Sequence, residues 1–131
     1  MNKEVSFPIA QLLKEKGFNL KVVNFYNYER LSLVSDKDRK IDELVNYNPI
    51  NWNSVKDHHT SAPTIAEVIM WLYEKYGIWI YITQSTARLG FRCFIQRLKV
   101  LGEVDIQNDE RYTSPTEAYS SAIEYTLNNL I

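Results

Sequence analysis

The chain has 131 residues, of which 45% are hydrophobic and 24% charged, with a net charge of −1. That length suits a single domain over residues 1–131 with one hydrophobic core, and the apolar content excludes wholesale disorder. No apolar run approaches the ~18–20 residues of a membrane span, the N-terminus has no signal-peptide or lipidation pattern, and the single cysteine, Cys93, excludes an internal disulfide and a cysteine zinc cluster; a cytoplasmic protein with no membrane partner is expected.

The first predicted helix runs from Ser6 to Lys16. Ser6 is placed to cap it, Pro8 lies in the first turn where a missing N–H does no harm, and Ile9, Leu12 and Leu13 form one apolar stripe. Gly17 suits the left-handed position that closes a helix, with Phe18 folding back on Leu13. A strand is predicted over about 21–26. Residues 27–62 read as a long irregular segment, with a short strand expected at Leu31–Val34, a weak helical pattern at Asp38–Val45, and a turn-rich run from Asn46 to Asn53.

A second helix opens at Thr64 with Glu67 three residues on, a capping-box spacing, and closes at Gly77, with Ile78 expected to reach back to Tyr73. It feeds the strand Ile78–Thr83, whose alternation puts Ile78, Ile80 and Ile82 on one side and Trp79, Tyr81 and Thr83 on the other. A turn over 84–90 and a strand over Phe91–Leu98 complete an antiparallel hairpin, and Leu98–Ile106 either extends it or turns into a third strand near Gly102. The third helix has Ser114 as cap, Pro115 in the first helical position and Glu117 closing a capping box. Its apolar face reads Tyr119, Ala122, Ile123, Thr126, Leu127 and Leu130. The simplest packing is an α+β fold: a small antiparallel sheet with two to three helices on one face.

Three sets of residues carry possible function. Trp71 lies on the helical wheel among Glu67, Glu74 and Lys75; it is either an exposed anchor for a partner or, as the simpler reading has it, covered by the 27–62 segment. Trp79 and Tyr81 sit opposite the isoleucines, and serve either as a partner or dimer face or as a second minor core. Residues 78–102 carry Arg88, Arg92, Arg97 and Lys99 and no acid, whereas residues 103–131 carry Arg111 against six acids. The basic hairpin either binds an anion or is neutralised by the acidic C-terminal part. With Trp79 or Tyr81 for stacking, it makes nucleic-acid binding the alternative function.

The remaining chemistry is sparse. His58 and His59 are the only histidines, and adjacent side chains point apart, so even with Asp57 they make a poor metal set. Cys93, mid-strand between Phe91 and Ile95, reads as a buried inert thiol. Asp36, Asp38, Asp42 and Glu43 are interleaved with Lys37, Arg39 and Lys40, a solvated segment rather than a calcium loop. There is no phosphate loop or nucleophile elbow. No catalytic residue, metal ligand or cofactor site is assigned.

Three motif groups carry a resemblance: Leu13-Lys-Glu-Lys-Gly-Phe18; Ser61-Ala-Pro-Thr-Ile-Ala-Glu67 with Trp71-Leu-Tyr-Glu-Lys-Tyr-Gly-Ile-Trp-Ile80; and Ser114-Pro-Thr-Glu-Ala-Tyr119 with Ala122-Ile-Glu-Tyr-Thr-Leu-Asn-Asn-Leu-Ile131. Through them the chain resembles a group of short uncharacterised proteins of phages, prophages and mobile elements in Bacteroidetes-type gut bacteria. The resemblance skips 19–50 and 84–110, and its motifs are mostly helix caps. It implies expression in a bacterial host cell and a small accessory role, and supplies no mechanism. The function expected from the sequence is therefore a non-enzymatic protein–protein interaction module, working on a protein partner or as a homodimer.

Overall fold

The computed structural model describes residues 3–27, 49–54, 59–85, 90–98, 103–104 and 111–131. Among them are three α-helices and two small antiparallel sheets, so the class is α+β. The chain divides into two compact units, Glu4–Thr64 and Ile65–Ile131 with Met1–Lys3.

The N-terminal unit opens with α1, Phe7–Glu15. Ser6 stands extended at the N-cap without a side-chain cap bond, and Pro8 occupies the first turn as predicted. Gly17 ends the helix at φ 84°. The Phe18 N–H then donates to Leu13 O at 2.9 Å, which closes a Schellman turn and buries Phe18 and Leu13 together. The predicted strand over 21–26 is shorter than expected. Val22 makes an isolated bridge to Ile50, and β1 is only Phe25–Asn27.

Its partner is a strand that the sequence reading missed. β2, His59–Ser61, pairs antiparallel with β1, Tyr26 opposite Thr60. The 27–62 segment is therefore not wholly irregular: it also holds a 3-10 turn at Trp52–Ser54. Asn51 shapes that turn by accepting from Asn53 N at 3.2 Å through its side chain and from Ser54 Oγ at 2.8 Å through its carbonyl. The elements expected at Leu31–Val34 and Asp38–Val45, and the acidic cluster at 36–43, lie outside the described residues.

Trp52 anchors this unit. Its ring is buried and stacks on Phe25 with centroids 4.0 Å apart, and its Nε1–H donates to Val22 O at 2.9 Å. Asn53 ties two segments at once, donating through Nδ2 to Phe18 O at 2.9 Å and accepting from Ser61 N at 2.8 Å. Lys14 Nζ donates to His59 O at 2.9 Å and Tyr26 OH donates to Val5 O at 2.7 Å. Side chains here do what a longer ladder would do elsewhere: they satisfy backbone groups that irregular chain leaves open.

The C-terminal unit is built from regular elements. α2 (Ile65–Tyr76) leads into β3 (Ile78–Ser85), then β4 (Gly90–Arg97), β5 (Glu103–Val104) and α3 (Pro115–Asn129). The sheet order is β3-β4-β5, antiparallel throughout, with Ile80 opposite Ile95 and Ile82 opposite Cys93. α2 packs on β3, and α3 on β3 and β4. The shared core takes Ile65, Val68, Ile69 and Leu72 from α2, Ala118, Ala122, Ile123 and Leu127 from α3, and Ile78, Ile80, Cys93 and Ile95 from the hairpin. Each large aliphatic side chain buried this way contributes about 1.5–3 kcal/mol. The buried stripe of α3 begins one residue earlier than predicted, since Ala118 is inside while Tyr119 and Leu130 are only half-buried.

Two ends of this unit behave as their residues dictate. Gly77 takes φ 67° and donates to Tyr73 O at 2.9 Å, so the chain reverses from helix to strand without a loop. At α3, Ser114 Oγ accepts from Glu117 N at 3.1 Å. Glu117 in turn accepts from Thr113 N at 3.0 Å and Thr113 Oγ1 at 2.6 Å, and these bonds hold its carboxyl below the ordinary value. Past β5 the edge of β4 is taken up by Tyr112, which exchanges two 2.9 Å backbone bonds with Phe91.

Candidate functional site

Strand alternation puts Trp79, Tyr81 and Thr83 of β3 on the sheet face away from the helices, and the register sets Gln96, Phe94 and Arg92 of β4 directly across from them. Tyr81 and Phe94 lie nearly parallel, 13° apart with centroids at 5.1 Å. The Arg92 guanidinium rests over Phe94 at 5.0 Å. Tyr81, Phe94 and Arg92 are half-buried, while Thr83, Gln96 and Trp79 are exposed. Trp79 and Tyr81 therefore share this face as alternation predicts, and the register adds Arg92 and Phe94 to it.

Among the described residues of this unit, the large apolar side chains most exposed belong to the α2–β3 corner. Tyr73 meets Trp79 edge-on, with centroids 5.5 Å apart at 78°. Ile78, next to the turn, is buried in the core. Met70 lies one helical turn before Tyr73, and Leu98 is tied to the corner by its N–H, which donates to Gly77 O at 2.8 Å. Met70 is 44% exposed, Tyr73 43%, Trp79 36% and Leu98 50%. Among the described residues only Val23, in the other unit, matches them as an exposed large hydrophobic. Met70, Tyr73 and Leu98 were missed from the sequence. The available signal was Met70, an apolar residue between Tyr73 and Glu74 on the helical wheel.

Trp71 is corrected. It is 3% exposed, set edge-on to Tyr76 at 5.4 Å, with Lys75 Nζ 5.2 Å from its ring centroid and 5.3 Å from that of Tyr76. Its place among charged residues on the wheel misled, because the exposed Lys75 lays its ammonium over the indole while the ring itself is buried. An exposed anchor at Trp71 is not what the structure presents.

The two basic candidates among the described residues do not share a face. Arg92 is on the aromatic face, Arg97 pairs with Ile78 and belongs to the opposite face of β4, and Arg88 and Lys99 lie outside the described residues, as does His58. His59 sits in the N-terminal unit with its ring 5.8 Å from Trp52 and 4.8 Å from Phe25, a packing position. Cys93 is fully buried, as expected. A shallow groove along α3 is lined by Ser121, Glu124, Tyr125, Asn128 and Asn129; it is open and polar, unlike the concave apolar pockets that hold small molecules.

Among the described residues no helix is long and apolar enough to cross a membrane. The chain matches no protein-family model, no curated protein and no solved structure.

Proposed function

We propose that this chain is a non-enzymatic protein–protein interaction module of phage or mobile-element type, and that it contacts its partner through the α2–β3 corner. The observation that carries the reading is the gathering of Met70, Tyr73, Trp79 and Leu98 around one tight turn at Gly77. Aromatic and methionine side chains are the residues most enriched at the centre of interfaces. A pair of rings already locked edge to face loses little side-chain entropy when a partner closes over it. The role sits in a bacterial host cell, as the resemblance to mobile-element proteins implies.

The test is a variant pair, Tyr73→Ser and Trp79→Ser, compared with wild type for association and for circular dichroism. Both variants keep the helical signal and lose association on this reading. Association that survives in both would remove the corner from consideration.

A second reading, nucleic-acid binding, draws on Arg92 beside Phe94 and Tyr81. It ranks below the first because β3 and β4 bring one cation to this face, whereas a run of backbone phosphates needs several. Titration with short single- and double-stranded DNA, read by tryptophan emission, separates the two. Binding that weakens with salt at a slope of roughly 0.7–0.9 per phosphate contact would favour nucleic acid.

A further inference from the structure

We propose that Arg92 and Arg111 form an anion site on the sheet face away from the helices, suited to a phosphate monoester in its doubly charged form. The site is separate from the α2–β3 corner and stands or falls without it.

Two observations place Arg111 beside Arg92. Tyr112 pairs antiparallel with Phe91, and its hydroxyl lies 2.7 Å from Ser121 Oγ on α3. Tyr112 therefore faces the helices, and Arg111, one residue earlier, faces the other way. The second observation is at Gly90. A Cβ at residue 90 would lie 2.9 Å from Arg111 Cβ and 3.5 Å from its Cγ. Gly90 shares the strand parity of Arg92 and Phe94, so the stem of Arg111 runs over the aromatic face, in the space a side chain at 90 would fill. A glycine inside a strand marks such a close approach.

The two arginines thus stand on neighbouring strands of one face, both half-buried, with the Nε of each closed to solvent. The Arg92 guanidinium is held over Phe94. Like charges so placed repel, and partial burial removes some of the water that would screen them. An oxyanion between them reverses the sign of that interaction. Each guanidinium carries five N–H donors in a fixed fork, so a contact made elsewhere still leaves donors for an anion. Thr83, exposed and directly across from Arg92, adds a hydroxyl at the edge. A phosphate monoester brings about −1.5 to −2 charge at pH 7 and three acceptor oxygens, which matches two cations; a carboxylate or a phosphate diester brings a single charge.

The test follows the arginine Nε–H signals of the full chain by NMR as methyl phosphate is added, with sodium chloride at equal ionic strength as the blank. It is repeated on Arg92→Gln, Arg111→Gln and Gly90→Ala, with the amide spectrum checking that each variant folds. The proposal expects saturable shifts at both arginines and affinity at least about tenfold lower in each glutamine variant. Gly90→Ala keeps both cations and displaces the Arg111 stem, so it too should bind more weakly. Affinity should rise between about pH 5 and 7.5, as the monoester takes its second charge. Acetate and dimethyl phosphate should bind more weakly than methyl phosphate; equal binding by either would overturn the dianion assignment. Shifts no larger than those with chloride, or binding unchanged in both glutamine variants, would overturn the site. Tyr73→Ser, which alters the corner alone, should bind methyl phosphate as wild type does, so failure here and failure of the interaction reading are told apart.

Discussion

The two units are held by different means. The C-terminal unit buries stripes from two helices against the isoleucine face of a hairpin, with backbone groups satisfied inside helices and ladder. The N-terminal unit has, among its described residues, one nine-residue helix and a ribbon of two three-residue strands, so much of the order there comes from side chains that bond to backbone. Trp52 reaches Val22, Asn53 reaches Phe18 and Ser61, Tyr26 reaches Val5, and Lys14 reaches His59. Periodic burial spreads stability over many residues, whereas a set of side-chain ties concentrates it in a few. That difference sets how each unit should respond to substitution.

The largest effect is expected at Trp52. Trp52→Ala removes a buried ring, its stack on Phe25 and its bond to Val22 O, and should cost about 3–5 kcal/mol in urea unfolding. A loss under about 1 kcal/mol would break the contrast. Asn53→Ala comes next, at about 2–3 kcal/mol, because it strips Phe18 O and Ser61 N of their partners together. A surface asparagine with no such ties would cost almost nothing, so this variant sharpens the comparison most.

Gly77→Ala should cost about 1–2 kcal/mol, since φ 67° is unfavourable for any residue with a Cβ. Its side effect is informative: the turn that brings Tyr73 onto Trp79 would loosen. The buried hydroxyl of Thr60 has no partner among the described residues. Thr60→Val is accordingly expected to be neutral or to stabilise by about 1 kcal/mol, a sign opposite to that of Asn53→Ala in the same unit.

The smallest effects are those of pH, and they separate the units by sign. Glu117 at the start of α3 has a lowered carboxyl, chiefly through its bonds from Thr113. Its folded form therefore binds protons less readily than the unfolded chain, and its contribution is present above pH 4.5 and lost as pH falls through the folded value. Tyr26 in the N-terminal unit has a raised phenol, first through burial and then through the charge of Glu4. Its folded form holds the proton longer, so stability is retained below pH 10.0 and lost as pH rises through the folded value. Unfolding midpoints of Glu117→Gln and Tyr26→Phe, followed against pH, should flatten the acid and alkaline limbs respectively.

How far each unit could be read from residues alone follows the same division. Caps and periods are local, so Gly17, Gly77 and the Ser114–Glu117 pair marked helix ends, and strict alternation from Ile78 marked the sheet faces. The ties of the N-terminal unit link residues 8 to 45 positions apart, and no spacing rule announces them. An asparagine-rich run looked like turn material, and Trp52 within it carried no periodic sign that it was core. At the candidate site the limits were similar. Trp79 and Tyr81 were placed on one face once alternation was granted, but Arg92 and Phe94 needed the register, and Tyr73 needed the turn at Gly77. Trp71 failed for an electrostatic reason: a lysine nearby on a helical wheel was read as a sign of solvent, when its ammonium lies over the ring.

The functional reading depends on which tryptophan faces water, and the chain has three: Trp52, Trp71 and Trp79. Acrylamide quenching of wild type, Trp71→Phe and Trp79→Phe reads this directly. The account predicts that Trp79→Phe loses the quenchable component and Trp71→Phe keeps it, with Trp52 silent in both. If Trp71→Phe instead removes the quenchable emission, the exposed ring is on the other side of α2 and the corner proposed as the contact surface is the wrong one.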